Sequence, residues 1–354
     1  MILIVGGGPA GSLSAIALKD FDVTLVEEHQ SAGFPVQCAG LISENCYKIL
    51  RRFSDCKINK IRGAVFSSPK KSVELEGKVK GIVIDRKILD RDLLLKASEY
   101  AKILVKTKFV GIRDGKAILR GLKDECIKYD YIIGADGVYS TVAKVFGFDR
   151  PKVYSALQFT VKYDCISNDL VEIYFGFSDF FCYAIPIDEF AKIGVITSEN
   201  AYSVMNKFLK WLGKRVRGSI VEMNAGAIPI GLVDFVKENV ILLGDSAGMV
   251  KPYTGGGLYY IVRAVEKLRH FPNLKKIRDD YLKDLGIEYK IGMKIANLYK
   301  ILDADDFDYL ISIARDYSDL AKELDMDRPS TIFKILPLLL KIIKNRKILR
   351  ALLR

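Results

Sequence analysis

Two rhythms of apolar residues divide the chain. Near the N-terminus MILIV (Met1–Val5) and VTLVEE (Val23–Glu28) are nearly continuous apolar runs, and between them lie GGGPAG and the helix-forming stretch SLSAIALK. Continuous runs mark strands buried on both faces, so this opening reads as a βαβ unit of a parallel sheet. A helix is predicted over Asp90–Tyr100, with strands at Ile103–Val105 and Tyr131–Ala135. Between Tyr154 and Thr197 the period becomes two: Leu157, Phe159, Val161 and Tyr163 alternate with Gln158, Thr160 and Lys162, and Val171, Ile173, Phe175 and Phe177 repeat the pattern. That predicts an antiparallel sheet with one apolar face. Val240–Leu243 returns to the buried-strand type, a helix is expected over about Leu258–Leu268, and from Asp279 onward nearly everything reads helical. The fold class is α/β. A discontinuous dinucleotide-type domain (1–60, 84–148 and 233–272) is interrupted by a β-rich domain (61–83 and 149–232) and followed by a helical region (273–354).

With 354 residues, half of them hydrophobic, the chain has material for one large or two interlocked domains. The net charge of +12 invites a nucleic-acid or anionic-membrane reading, but seven cations and no acid fall between Lys334 and Arg354. Lys341, Lys344, Lys347, Arg350 and Arg354 recur at helical spacing, with Leu338, Ile342, Leu349 and Leu352 on another side. Such a helix suits the surface of an anionic membrane; alternatively it packs on the body and the cations are its solvated face. The localised charge favours a lipid surface over nucleic acid. Six cysteines without a CxxC pair, and only His29 and His270, give no metal-ligand pattern. No leader precedes the first strand and no apolar run reaches bilayer length, so a cytoplasmic protein with reduced thiols is expected, peripheral on the inner face of the membrane.

Gly6-x-Gly8-x-x-Gly11 lies between a strand and a helix. Gly6 permits a tight turn, Gly8 admits a pyrophosphate to the backbone, Gly11 lets helix and strand pack, and the helix N-terminus offers free amides to the phosphates. Glu27, sixteen residues beyond Gly11, closes the second strand where a carboxylate accepts ribose hydroxyls. GADG (Gly134–Gly137), with Asp136, ends another strand and is followed by Ser140; alone it is an ordinary strand exit. LLGDSAGMVKPYTGGGL (Leu242–Leu258) is more specific, because a strand delivers Asp245 to its end and three glycines then open a helix. Consecutive glycines there are costly unless a planar ligand comes close.

Together these segments resemble the flavoproteins with the para-hydroxybenzoate hydroxylase-like fold. IDRKILDRDLLLKA (Ile84–Ala97) is similar to that family's Arg-x-x-hydrophobic-Asp-x-x-Leu signature, and GFPVQCAGLIS (Gly33–Ser43) resembles the Pro-x-x-Cys-Gly/Ala segment of geranylgeranyl reductases. The resemblance covers roughly residues 1–270. It implies a Rossmann-type FAD-binding domain with an antiparallel β-sheet substrate domain, and FAD contacts at Ser12, Glu27, Cys38, Ala39, Gly40, Arg86, Phe109, Asp245, Gly257 and Leu258. The reductase branch carries Y-x-W-x-F-P followed, after seven or eight residues, by G-x-G. Here Phe181-Cys-Tyr183-Ala-Ile185-Pro186 precedes Gly194-Val-Ile196, so the proline, first glycine and spacing remain while the aromatic identities and second glycine change. Phe181, Tyr183 and Pro186 are the implied substrate contacts; as plain residues, Phe181 and Tyr183 serve equally as sheet core.

The resemblance implies an oxidoreductase that reduces C=C bonds of geranylgeranyl chains by hydride transfer from reduced FAD. The expected donor of electrons is a reduced ferredoxin or a reduced nicotinamide or deazaflavin cofactor. Cys38 is the candidate for protonating or shaping the site, against a packing thiol. The rival readings are a flavin monooxygenase of the same fold and a membrane-associated flavoprotein electron carrier. Ser140-x-x-Ala143 lacks the arginine that many related hydroxylases carry, which weighs against the monooxygenase.

Overall fold

The computed structural model describes residues 1–77, 80–335, 341–342 and 345–353. The continuous apolar runs form the centre of a six-stranded sheet in the order Val236–Lys237, Val240–Leu242, Tyr131–Gly134, Ile2–Val5, Val23–Val26, Lys102–Leu104. All but the edge strand Val236–Lys237 run parallel. Ile2, Leu3, Ile4 and Val5 are all buried, as strands covered on both faces require. This order sets the ends of Ile2–Val5, Tyr131–Gly134 and Val240–Leu242 side by side. The glycine turn, the GADG segment and Asp245, far apart in sequence, therefore open onto one edge.

The helix predicted from Asp90 begins at Arg86, because Asp85 caps it by accepting a hydrogen bond from Lys87 N at 2.8 Å. A seven-stranded sheet runs Val216–Ile230, Lys152–Tyr163, Phe190–Thr197, Phe181–Ile187, Leu170–Tyr174, Gly63–Ser67, Ser72–Leu75. It is antiparallel except where Leu170–Tyr174 pairs parallel with Gly63–Ser67. The predicted strand through Phe177 stops at Tyr174; Phe175 instead stacks on Phe307, ring centroids 5.0 Å apart. Leu157, Phe159, Val161 and Tyr163 pack against Val204, Met205, Phe208 and Leu212 of the helix Ala201–Leu212. The opposite face of this sheet, with Gln158 and Lys192, is also buried and turns toward the molecule's central cavity.

The helical tail begins at Leu274, capped by Asn273, and runs 28 residues to Ile301, followed by Ala304–Asp316. Residues 318–335 depart from the helical expectation: two 3-10 stretches, Ser318–Glu323 and Pro329–Ile335, flank a bridge between Asp325 and Arg328. Polar anchors hold this segment against the body, with Arg328 Nη2 donating to Asp284 at 2.8 Å and Ser330 Oγ to Glu288 at 2.8 Å. Of the basic tail, Leu338, Lys344 and Arg354 lie outside the described residues. In the final helix, Arg346–Leu353, Ile348 is fully buried against Leu302 and Phe307, and Lys347 Nζ pairs with Asp303 at 2.7 Å and with Asp306. That part of the tail packs on the body. Among the described residues no helix is long and apolar enough to cross a membrane.

Candidate functional site

Gly6 adopts φ +101°, and a Cβ on Gly11 would lie 1.9 Å from Gly6 O, so only glycine lets the helix Pro9–Ala17 approach the first strand this closely. A Cβ on Gly8 would meet nothing within 4 Å; that side of the turn is open to the cavity. The buried Glu27 receives Gly7 N at 2.7 Å on Oε2 and His29 N at 2.8 Å on Oε1. Two amides thus fix a carboxylate that retains lone pairs for further donors. Ser12 does not reach the cavity: it is buried and donates its hydroxyl to Gly7 O at 2.8 Å, bracing the turn from behind. Gly11 likewise acts from behind.

Beyond the turn, Arg86 donates Nε and Nη2 to Asp90, each at 2.8 Å, which fixes its guanidinium in the cavity wall. Asp245 lies in the same wall; burial pushes its carboxyl above the usual carboxylate range, while the nearby Arg86 pulls it back. Gly257 follows, where a Cβ would be 3.5 Å from Asp245 Oδ1, and the helix Leu258–Lys267 begins there. Asp136 also lines the cavity, but its carboxylate caps the next helix, accepting from Ser140 Oγ at 2.6 Å and Thr141 N at 2.7 Å. Phe109 is buried in the cavity wall.

The loop bearing Cys38, Ala39 and Gly40 forms the next stretch of wall. Gly40 has φ +83° and a Cβ there would meet Ile84 O at 2.3 Å, so the loop needs glycine at this turn. Gly40 N donates to Cys38 Sγ at 3.4 Å, and the buried Lys192 donates to Ala39 O at 2.9 Å. Burial lowers the Lys192 amine from its ordinary value.

From here the cavity becomes apolar. Phe181, Tyr183 and Ile185 point into it from one strand, facing Phe66, Phe175 and Tyr299. Pro186 does not: the period of two puts it on the opposite face of that strand from Ile185, where its carbonyl accepts from Asn59 Nδ2 at 3.3 Å. The cavity measures about 1240 Å³, above the roughly 300–1,000 Å³ of pockets that hold one drug-sized ligand. The open glycine turn, anchored carboxylates and glycine-lined loop fit a dinucleotide, with space beyond it for a second, apolar molecule.

Four cavity or near-cavity residues escape the sequence reading. Gln158 and Lys192 occupy polar positions of the period-two pattern, and Lys251 stands inside the quoted glycine motif. Asp327 comes from the segment read as helix and pairs with Lys251 at 3.0 Å, 76 residues away. The sequence signal for Lys251 was a second charged residue, besides Asp245, within the glycine motif.

Comparison with known proteins agrees with this geometry. Residues 1–205 match the family described as FAD binding domain. The digeranylgeranylglycerophospholipid reductase of Methanococcus vannielii is 31% identical, the match covering 73% of this chain and 72% of the relative. Digeranylgeranylglycerophospholipid reductase 3 of Methanosphaera stadtmanae is 28% identical over 98% of both chains. A geranylgeranyl bacteriochlorophyll reductase-like protein of Thermoplasma acidophilum superposes with a TM-score of 0.79 at 20% identity, covering 95% of this chain and 98% of that one.

Proposed function

Since this chain belongs to the geranylgeranyl reductase family of FAD-binding oxidoreductases, we propose that it saturates C=C bonds in the geranylgeranyl chains of membrane lipids by hydride transfer from reduced FAD. The observation that carries this reading is the joined cavity: a dinucleotide cradle at one end and a wall of Phe66, Phe175, Phe181, Ile173 and Tyr299 at the other.

FAD, once reduced, supplies the hydride. The rest falls to the chain. An isolated alkene has no carbonyl to draw electrons, so the reacting carbons must be held close, water excluded and a proton delivered. Gly6, Gly8 and Glu27 would hold the adenosine and pyrophosphate end, with Arg86 and Asp245 nearer the ring. The N-terminus of the helix Leu258–Lys267 offers partial positive charge to a reduced ring. The aromatic wall aligns the prenyl chain, and Cys38 stands in the cavity wall as a thiol outside any disulfide. Electrons would arrive from a reduced ferredoxin or from a reduced nicotinamide or deazaflavin cofactor.

Incubation with a digeranylgeranylglycerophospholipid and dithionite is expected to add two hydrogens to the lipid for each bond reduced, read by mass spectrometry. A lipid of unchanged mass contradicts the proposal. The proposal includes a cytoplasmic enzyme working at the inner membrane surface, supported by the cations between Lys334 and Arg354 other than Lys347, which pairs with Asp303 and Asp306. The full chain should then sediment with anionic vesicles at low salt and leave them as salt rises; a chain that stays in the supernatant would remove the membrane contact.

A further inference from the structure

We propose that Tyr183 is the proton donor to the alkene, held in place by Gln158 and reprotonated by a water in the niche beside that pair. This rests on the functional reading above and names the residue for its second half-step.

Tyr183, Gly194, Gln158 and Asn224 form one cross-strand row on the inner face of the seven-stranded sheet. Gly194 makes the row work. A Cβ there would lie 2.1 Å from Tyr183 Cζ and 2.3 Å from its hydroxyl oxygen, so the ring lies flat across the glycine. The hydroxyl thereby reaches beyond its neighbouring strand and donates to Gln158 Oε1 at 3.0 Å. This explains why the first glycine of the G-x-G pattern persists here. In that pattern the residue at Tyr183's place is tryptophan, whose indole is a poor acid. Here a phenol stands at that place.

Gln158 carries the second observation. It is 4% exposed, and its Nε2 is buried without a hydrogen-bond partner. An amide nitrogen so buried wants an acceptor. Beside it is a niche of about 20 Å³, lined by Gln37, Cys38, Gln158, Tyr183 and Asn224. That exceeds the roughly 10–15 Å³ needed to hold one water, and the polar walls supply its partners. Gln37 is exposed and Asn224 half-buried, so the niche has an outlet toward solvent. Tyr183 lines the large cavity and the niche alike, standing between substrate space and water. Burial raises its phenol pKa, with Cys38 adding to the effect, so at neutral pH the proton is present to be given.

The atoms balance. A hydride brings both its electrons from the reduced cofactor to one alkene carbon, and the π pair moves to the other carbon. The Tyr183 O–H turns about its Cζ–Oη bond from Gln158 Oε1 toward that carbon, which takes the proton as the O–H bond breaks, leaving a phenolate. The niche water returns a proton to the phenolate and is itself restored from solvent. The net change is one C=C saturated and the cofactor oxidised.

The test uses the FAD-loaded full chain and a digeranylgeranylglycerophospholipid in detergent micelles. Tyr183→Phe should keep its FAD and its reduction by dithionite but lose about 100-fold or more in lipid turnover, the usual scale of a general acid. Gln158→Leu should lose less and shift the pH profile of turnover. A readout independent of turnover is the carbon-13 NMR signal of tyrosine Cζ, with Tyr183 assigned by its absence in Tyr183→Phe. That signal should titrate above the range of free tyrosine and move in Gln158→Leu. Unchanged turnover in Tyr183→Phe overturns the proposal, as does a Tyr183 signal indifferent to Gln158→Leu. A wild-type chain that leaves the lipid unreduced overturns the functional reading itself, and the proton role with it.

Discussion

Asp327→Ala is expected to destabilise the folded chain by about 3–5 kcal/mol, the cost of leaving a buried charge without its partner. Asp327 is 1% exposed and Lys251 6%, with 3.0 Å between Oδ1 and Nζ. Lys251 also donates to Met326 O at 3.2 Å, and Tyr253 donates to the same carbonyl at 2.8 Å. These contacts fasten the segment around Asp327 to the loop before Gly255–Gly257, so removing the carboxylate frees one wall of the cavity and strands an ammonium. Replacing both partners, Lys251→Met with Asp327→Leu, should recover most of the loss, because apolar groups of similar volume carry no desolvation penalty. Urea unfolding of the wild type, the single variant and the double variant measures this. A single variant as stable as the wild type would show that the pair is not buried as described.

The second large effect concerns the cofactor. Asp245→Ala should weaken FAD retention by about 10- to 150-fold, matching the roughly 1.5–3 kcal/mol of a hydrogen bond to a charged group. The sign of the pH dependence follows from the environment. Burial raises the carboxyl of Asp245, and only the anion accepts two donors freely, so retention should weaken on acidification at pH values where an ordinary carboxylate is still ionised. Asp245→Asn, which cannot titrate, should lose that pH dependence. Equilibrium dialysis of FAD across a pH series tests both. Equal affinity in wild type and Asp245→Ala would place the cofactor's hydroxyls elsewhere.

The parallel sheet was legible because each of its central strands is an unbroken apolar run, and the glycine turn because backbone contact permits nothing larger at Gly6 and Gly11. The polar positions of the second sheet were not. A period of two separates faces but cannot say whether the polar face meets solvent or an internal cavity, and here Gln158 and Lys192 are buried. The same period does place Pro186 opposite Tyr183, so its exclusion from the cavity could have been read directly. Lys251 with Asp327 lay beyond sequence reasoning, since two charges 76 positions apart reveal a pair only once the fold brings them together. Residues 318–335 read as helix by composition, yet Arg328 and Ser330 are held by Asp284 and Glu288 in a shape local propensity does not specify.

The most direct test of the central claim follows the flavin's colour. The purified chain is bleached with dithionite under strict anaerobiosis, freed of excess reductant and mixed with a geranylgeranyl lipid. The yellow absorbance is expected to return without oxygen, and the lipid to gain hydrogen in proportion. A flavin that stays bleached until oxygen enters, with the lipid unchanged, would contradict it.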